Sequence, residues 1–90
     1  LSRPSILITG SRDTADPRVV RVSGETEGLV GEQLLPWTRQ AGQSEFTTGS
    51  GLRTVAADGT FTWSRRSGKA LSVYFTHEQI RSNVVRLPAR

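Results

Sequence analysis

His77 is the single histidine of this sequence, so general-base chemistry by an imidazole has to start there. A histidine base needs one group to orient it and a nucleophile within hydrogen-bond reach. Ser72, Ser82 and Glu78 are close in sequence, but no serine stands in a Gly-x-Ser-x-Gly elbow. His77 therefore reads as an exposed turn residue. Glu25 and Glu27 flank Thr26, and in extended backbone their carboxylates point to the same side. Paired carboxylates can cleave a glycosidic bond; in this glycine-rich stretch they read as solvated. Asp13 with Asp16, or Glu25 with Glu27, offers oxygen ligands without the Asp-x-Asp-x-Asp-Gly spacing of a calcium loop. Cysteine is absent, which removes thiol nucleophiles, disulfides and the usual zinc sites. Gly49-Ser50-Gly51 and residues 28–31 lack the Gly-Lys-Ser/Thr of a phosphate loop and read as turns. The expectation is a chain that is not an enzyme, with no metal and no cofactor.

Binding chemistry has better candidates. Aromatic rings on a sheet face can stack on sugar rings or bases. Trp37 follows Pro36 on what reads as an edge strand, and Tyr74 alternates out of phase with Val73 and Phe75, which puts it on the outer face or under a loop. Trp63 shares its phase with Phe61 and is assigned to the core. Arg65, Arg66 and Lys69 surround the Ser67-Gly68 turn, and with Arg53 and Arg81 they could form a basic patch. Arginine grips phosphate or carboxylate through its planar fork. The competing reading is a charged hairpin tip that keeps a sheet edge soluble. The candidate ligand-binding residues are Trp37, Tyr74, Arg65, Arg66 and Lys69.

The charge distribution bears on the partner. The formal net charge is +4. Residues 1–45 carry five arginines and six acids, whereas residues 46–90 carry seven basic residues and two acids. A basic half attracts polyanions such as anionic wall polymers or acidic glycans. Nucleic acid is the poorer match, because no recognition helix, ribonucleoprotein motif or Gly-x-x-Gly clamp accompanies the charge.

The elements that must carry these side chains are strands. Ninety residues make one domain. Gly, Ser, Thr and Val are plentiful, and no segment carries a ten-residue amphipathic period. Strands are predicted over residues 5–9, 18–23, 33–39, 52–56, 60–65, 70–76 and 82–87, with a minor one over 45–48. Residues 1–5 form a loose lead-in, and 10–17, 24–32 and 40–44 are connections. Pro36 cannot donate to a ladder, so its strand is an edge or bulged strand. Asp58-Gly59 predicts a type I′ hairpin joining 52–56 to 60–65. In strand 70–76, Leu71, Val73 and Phe75 point inward and Ser72 and Thr76 outward. Residues 77–80 turn the chain, as one short helical turn capped by Thr76 or as a simple reversal. Seven or eight short strands with turns every 8–12 residues predict an all-β antiparallel sandwich or small barrel. The longest apolar run, Ile6-Leu7-Ile8, is far below the ~20 residues of a membrane-spanning helix. A start at Leu1, without an initiating Met or signal peptide, reads as a domain excised from a larger protein.

Two stretches carry a resemblance. One runs Val20-Arg21-Val22-Ser23-Gly24, Gly28-Leu29-Val30-Gly31 and Pro36-Trp37-Thr38-Arg39. The other runs from Asp58-Gly59-Thr60-Phe61-Thr62-Trp63 through Ser64-Arg65-Arg66-Ser67-Gly68-Lys69, then Val73-Tyr74-Phe75 and Arg81-Ser82-Asn83-Val84-Val85. Together, over residues 18–88, they resemble the immunoglobulin-like or fibronectin type III-like β-sandwich modules at the C-terminal ends of secreted proteins from high-GC Gram-positive bacteria. The resemblance implies a non-catalytic accessory module, a spacer or attachment domain, at a secreted or cell-surface location. Its expected partners are a neighbouring domain of the same polypeptide and a cell-wall or other polysaccharide, with the chain itself a monomer. It transfers no functional-site motif. The alternative is a carbohydrate- or polyanion-binding module that uses exposed aromatics and the basic hairpin.

Overall fold

The structure, a computed structural model, describes residues 4–48 and 51–89. These residues form nine strands and no helix. The strands are β1 Ser5–Arg12, β2 Val19–Glu27, β3 Gln33–Gln40, β4 Thr47–Thr48, β5 Arg53–Thr54, β6 Thr60–Arg66, β7 Leu71–His77, β8 Ile80–Arg81 and β9 Val85–Leu87. One sheet has the order β1-β2-β6. The other has the order β4-β3-β7-β8, with β5 also on β3 and β9 also on β7. All pairings are antiparallel. The fold is an all-β sandwich.

Period-two patterning decides which faces meet. Val20, Val22 and Gly24 of β2 point inward while Arg21, Ser23 and Glu25 point out. Phe61 and Trp63 of β6 and Leu71, Val73 and Phe75 of β7 join them in one core with Ile6, Ile8 and Leu34. Phe75 is fully buried. Phe61 meets its ring edge to face at 4.9 Å and Trp63 at 6.0 Å. Burying a side chain of this size contributes about 1.5–3 kcal/mol over leaving it exposed. Ser72 shares the outer face with Arg39 and Arg86, its register partners, and is nonetheless buried.

Several boundaries differ from the sequence expectation. Residues 10–12 continue β1 and residues 24–27 continue β2, because each supplies backbone to the other's ladder. Gly24 sits opposite Phe61, and a Cβ there would lie 2.2 Å from the ring. The glycine is a strand residue that makes room for an aromatic, not the start of a loop. The Asp58-Gly59 turn is not a type I′ hairpin. Gly59 has φ +85°, but Asp58 lacks the positive φ that type I′ requires. The strands on either side also belong to different sheets, β5 beside β3 and β6 beside β2. Asp58 stabilises the turn by accepting the Thr60 N–H and hydroxyl at 3.0 and 2.6 Å. The Ser67-Gly68 turn likewise crosses between sheets, since β6 does not pair with β7. Residues 77–80 form no helical turn. His77 pairs with Ile80 around a two-residue loop in which Glu78 has φ 55°.

Proline and serine shape two interruptions. β5 and β4 pair with β3 at residues 33–34 and 37–38, leaving Leu35 and Pro36 without a partner on that side. Pro36 has no N–H to offer there. Gly51, at φ +88°, lies in the excursion between them, while Gly49 and Ser50 of that predicted turn fall outside the described residues. Of the predicted strand 82–87 only Val85–Leu87 is strand, as β9, and the short β8 precedes it in the predicted turn. The registers of β8 and β9 on β7 differ by one residue, so a bulge lies between them. Ser82 fills it: its N–H donates to the Phe75 carbonyl and its Oγ accepts the Phe75 N–H, both at 2.9 Å.

The two long sides of the sandwich differ. On one, β1 lies against β8 and β9, bridged by Asn83. On the other, β6 faces β4 and β5 across a cleft. One end is tied by Arg12, whose guanidinium donates to the backbone carbonyls of Pro17, Ser67, Lys69 and Pro88.

Candidate functional site

The outer face of the larger sheet gathers the aromatic side chains that the core does not use. Register places Trp37 of β3 directly opposite Tyr74 of β7. Their rings are nearly parallel, at 5° with centroids 5.8 Å apart. Trp37 Nε1–H donates to Thr76 Oγ1 at 2.9 Å, which fixes the indole on the sheet. Phe46, from the segment leading into β4, meets Tyr74 edge to face at 4.8 Å. Two guanidiniums lie over this strip: Arg81 sits 4.2 Å from the Tyr74 ring centroid, and Arg39 sits 5.3 Å from that of Phe46. Both distances are within cation–π range. The three rings are half-buried.

The strip continues into a groove of about 550 Å³ at the end of the sheet. Arg39 and Arg86 stand on either side of Ser72 on its wall, and the 40–43 loop forms its rim. Among the described residues no carboxylate lines the groove. By contrast, Glu25 and Glu27 project from the outer face of the other sheet. The fold therefore gives its two outer faces different character, one aromatic with Arg39, Arg81 and Arg86, the other rich in Ser and Thr with Glu25 and Glu27 beside Arg21 and Arg66.

The predicted site residues do not form one cluster. Trp37 and Tyr74 come together. Arg65 shares the inward phase of Phe61 and Trp63 and crosses to the other sheet, where its Nη1–H donates to Thr38 Oγ1 at 3.0 Å. Arg66 points the opposite way and reaches Asp16 at 3.3 Å. Lys69 is exposed in the following turn, where its carbonyl is held by Arg12. The three cations are close in sequence but face three directions, because strand alternation separates neighbours.

Phe46, Arg39 and Arg86 were not among the predicted site residues. Alternation from Trp37 gives Arg39, two positions on and on the same face. Phe46 has no such signal, since β4 is two residues long and carries no period.

His77, Asp13 and Asp16 are each engaged by neighbouring residues. His77 is largely buried, not exposed: Nδ1 lies 3.0 Å from the Gln33 carbonyl and Nε2 3.5 Å from Glu32. No serine hydroxyl is among its partners in the described residues. Asp13 is held by Arg21, and Asp16 by Arg18 and Arg66. These contacts push both carboxyls below their ordinary range. For Asp13 the main cause is the Arg21 side chain, and for Asp16 it is the Arg18 backbone N–H. Among the described residues no helix is long and apolar enough to cross a membrane.

The site and fold thus define a β-sandwich with one aromatic and arginine-rich outer face. Searches found no matching family model, no matching curated protein and no matching solved structure.

Proposed function

We propose that this chain is a non-catalytic accessory module of a secreted or cell-surface bacterial protein, and that its larger sheet holds a polysaccharide bearing anionic groups. The observation that carries the reading is the continuity of the Trp37–Tyr74–Phe46 strip with a groove walled by Arg39 and Arg86 and, among the described residues, free of carboxylates. Rings offer apolar faces to pyranose C–H groups. Arginines beside them pair with acidic substituents. An extended polymer can engage both in one pass along the strands. A three-stranded sheet facing a larger one supports the likeness to immunoglobulin-like and fibronectin type III-like modules. In the parent protein the module would hold a neighbouring domain close to an insoluble polysaccharide.

The test is retention of the purified domain on insoluble cell-wall and plant polysaccharides at low and high salt. Retention is expected on an acidic polymer, weakened by salt as released counterions dictate, and lost in Trp37→Ala and Arg39→Gln. Absence of retention on every polymer would leave only the spacer role.

A further inference from the structure

The cleft on the open side of the sandwich is separate from the aromatic strip and its groove. It lies between β6 and the short strands β4 and β5 and has a volume of about 420 Å³. Arg53 and Arg65 both line it, together with Thr38, Thr47, Thr48 and Ser64. Among the described residues neither arginine forms an ion pair and no carboxylate lines the cleft. Arg65 donates one Nη–H to Thr38, and its fork makes no other hydrogen bond among the described residues. Arg53 Nε is buried with no hydrogen-bond partner. A guanidinium N–H withdrawn from water and left without an acceptor is rare in a folded chain and calls for an explanation such as an ion that completes it. Elsewhere in the chain Arg12 has carbonyls as acceptors, and Arg18, Arg21 and Arg66 have aspartates.

We propose that this cleft binds a tetrahedral oxyanion, phosphate or sulfate, gripped by Arg53 and Arg65 and completed by the hydroxyls of Thr47, Thr48 and Ser64. Guanidinium forks match the oxygen spacing of such anions. Hydroxyl groups can donate to the oxygens that the forks leave open. Bound there, the anion joins β6 of one sheet to β5 of the other, beside the Arg65–Thr38 hydrogen bond that already crosses between the sheets. The proposal does not rest on polysaccharide binding by the outer face, whose residues it does not use.

The test is a titration of the intact chain with inorganic phosphate, then sulfate, at constant ionic strength set with chloride. Nuclear magnetic resonance would follow the backbone amides of Thr38, Thr47 and Ser64, the Trp63 indole and the Arg53 Nε–H. Saturable shifts confined to these groups are expected. Arg53→Gln and Arg65→Gln should each weaken binding at least tenfold, while Arg18→Gln, an equal loss of charge elsewhere, should leave it unchanged. Unsaturable shifts, shifts spread over every arginine-bearing face, or equal weakening by Arg18→Gln would overturn the site. If a glutamine variant fails to fold, the wild-type titration decides by the same pattern. A phosphate-bearing oligosaccharide gives the second arm. Tighter binding than inorganic phosphate would identify the anion as a substituent of a larger ligand, and equal binding would identify it as the free ion.

Discussion

The side-chain amide of Asn83 pairs with the backbone of Ile8 as a strand residue would. The Ile8 N–H donates to Asn83 Oδ1 at 2.8 Å, and Asn83 Nδ2–H donates to the Ile8 carbonyl at 2.9 Å. One side chain thereby satisfies both polar groups of a residue on the opposite sheet and closes that side of the sandwich. Asn83→Asp keeps the shape but replaces the Nδ2 donor with an acceptor, setting a carboxylate oxygen against the Ile8 carbonyl. A loss of about 1–3 kcal/mol is expected, since a stranded carbonyl forfeits its hydrogen bond. Chemical denaturation would measure it, and faster exchange of the Ile8 amide should accompany it.

Arg12 ties four carbonyls from two loops and the C-terminal segment. Arg12→Lys retains the charge but has no fork to span them. It should cost nearly as much as Arg12→Ala, about 1–3 kcal/mol in each case. Equal stability of Arg12→Lys and the native chain would mean that charge alone matters.

Gly24 faces the Phe61 ring, with no room for a methyl group. Gly24→Ala should therefore destabilise by about 1–3 kcal/mol through overpacking. Gly24→Ala combined with Phe61→Leu should recover part of the loss, because the clash is with the ring. Thermal unfolding of the two single variants and the double variant would show the coupling.

Asp13, Asp16 and Asp58 all ionise more readily in the folded chain than at the ordinary value of 3.8. Asp58 owes this first to the Thr60 hydroxyl. A depressed native pKa contributes stability that is fully present above the unfolded value and is lost as pH falls through the native one. These groups should leave stability flat from neutral pH down to roughly pH 5, with a decline that steepens below about pH 4. Denaturation midpoints across that range would test it. Asp13→Asn should flatten the decline, and an unchanged slope would separate Asp13 from acid unfolding.

The alternation of Val20 with Val22, Phe61 with Trp63, and Leu71 with Val73 and Phe75 determined the class of fold, because a period of two has only one way to bury itself. The same alternation put Trp63 in the core and Tyr74 on the outside. The residues of the site were legible only in part. Trp37 and Tyr74 are distant in sequence, and nothing local says that β3 and β7 pair with those two rings opposite. Arg65, Arg66 and Lys69 looked like one patch because sequence distance hides direction, and strand geometry then sent Arg65 into the sandwich and Arg66 out of it. The Asp58-Gly59 turn was visible as a turn, but whether its strands pair with each other depends on partners far along the chain. The bulge at Ser82 and the Asn83 bridge have no sequence period at all, since each exists only where a second strand supplies the backbone groups to be satisfied. Sequence by itself determined the apolar core of the strands; the tertiary structure decided which of the remaining residues meet, that Ser72 is buried and that His77 and Arg65 turn inward, because contacts across strands are set by register and not by proximity along the chain.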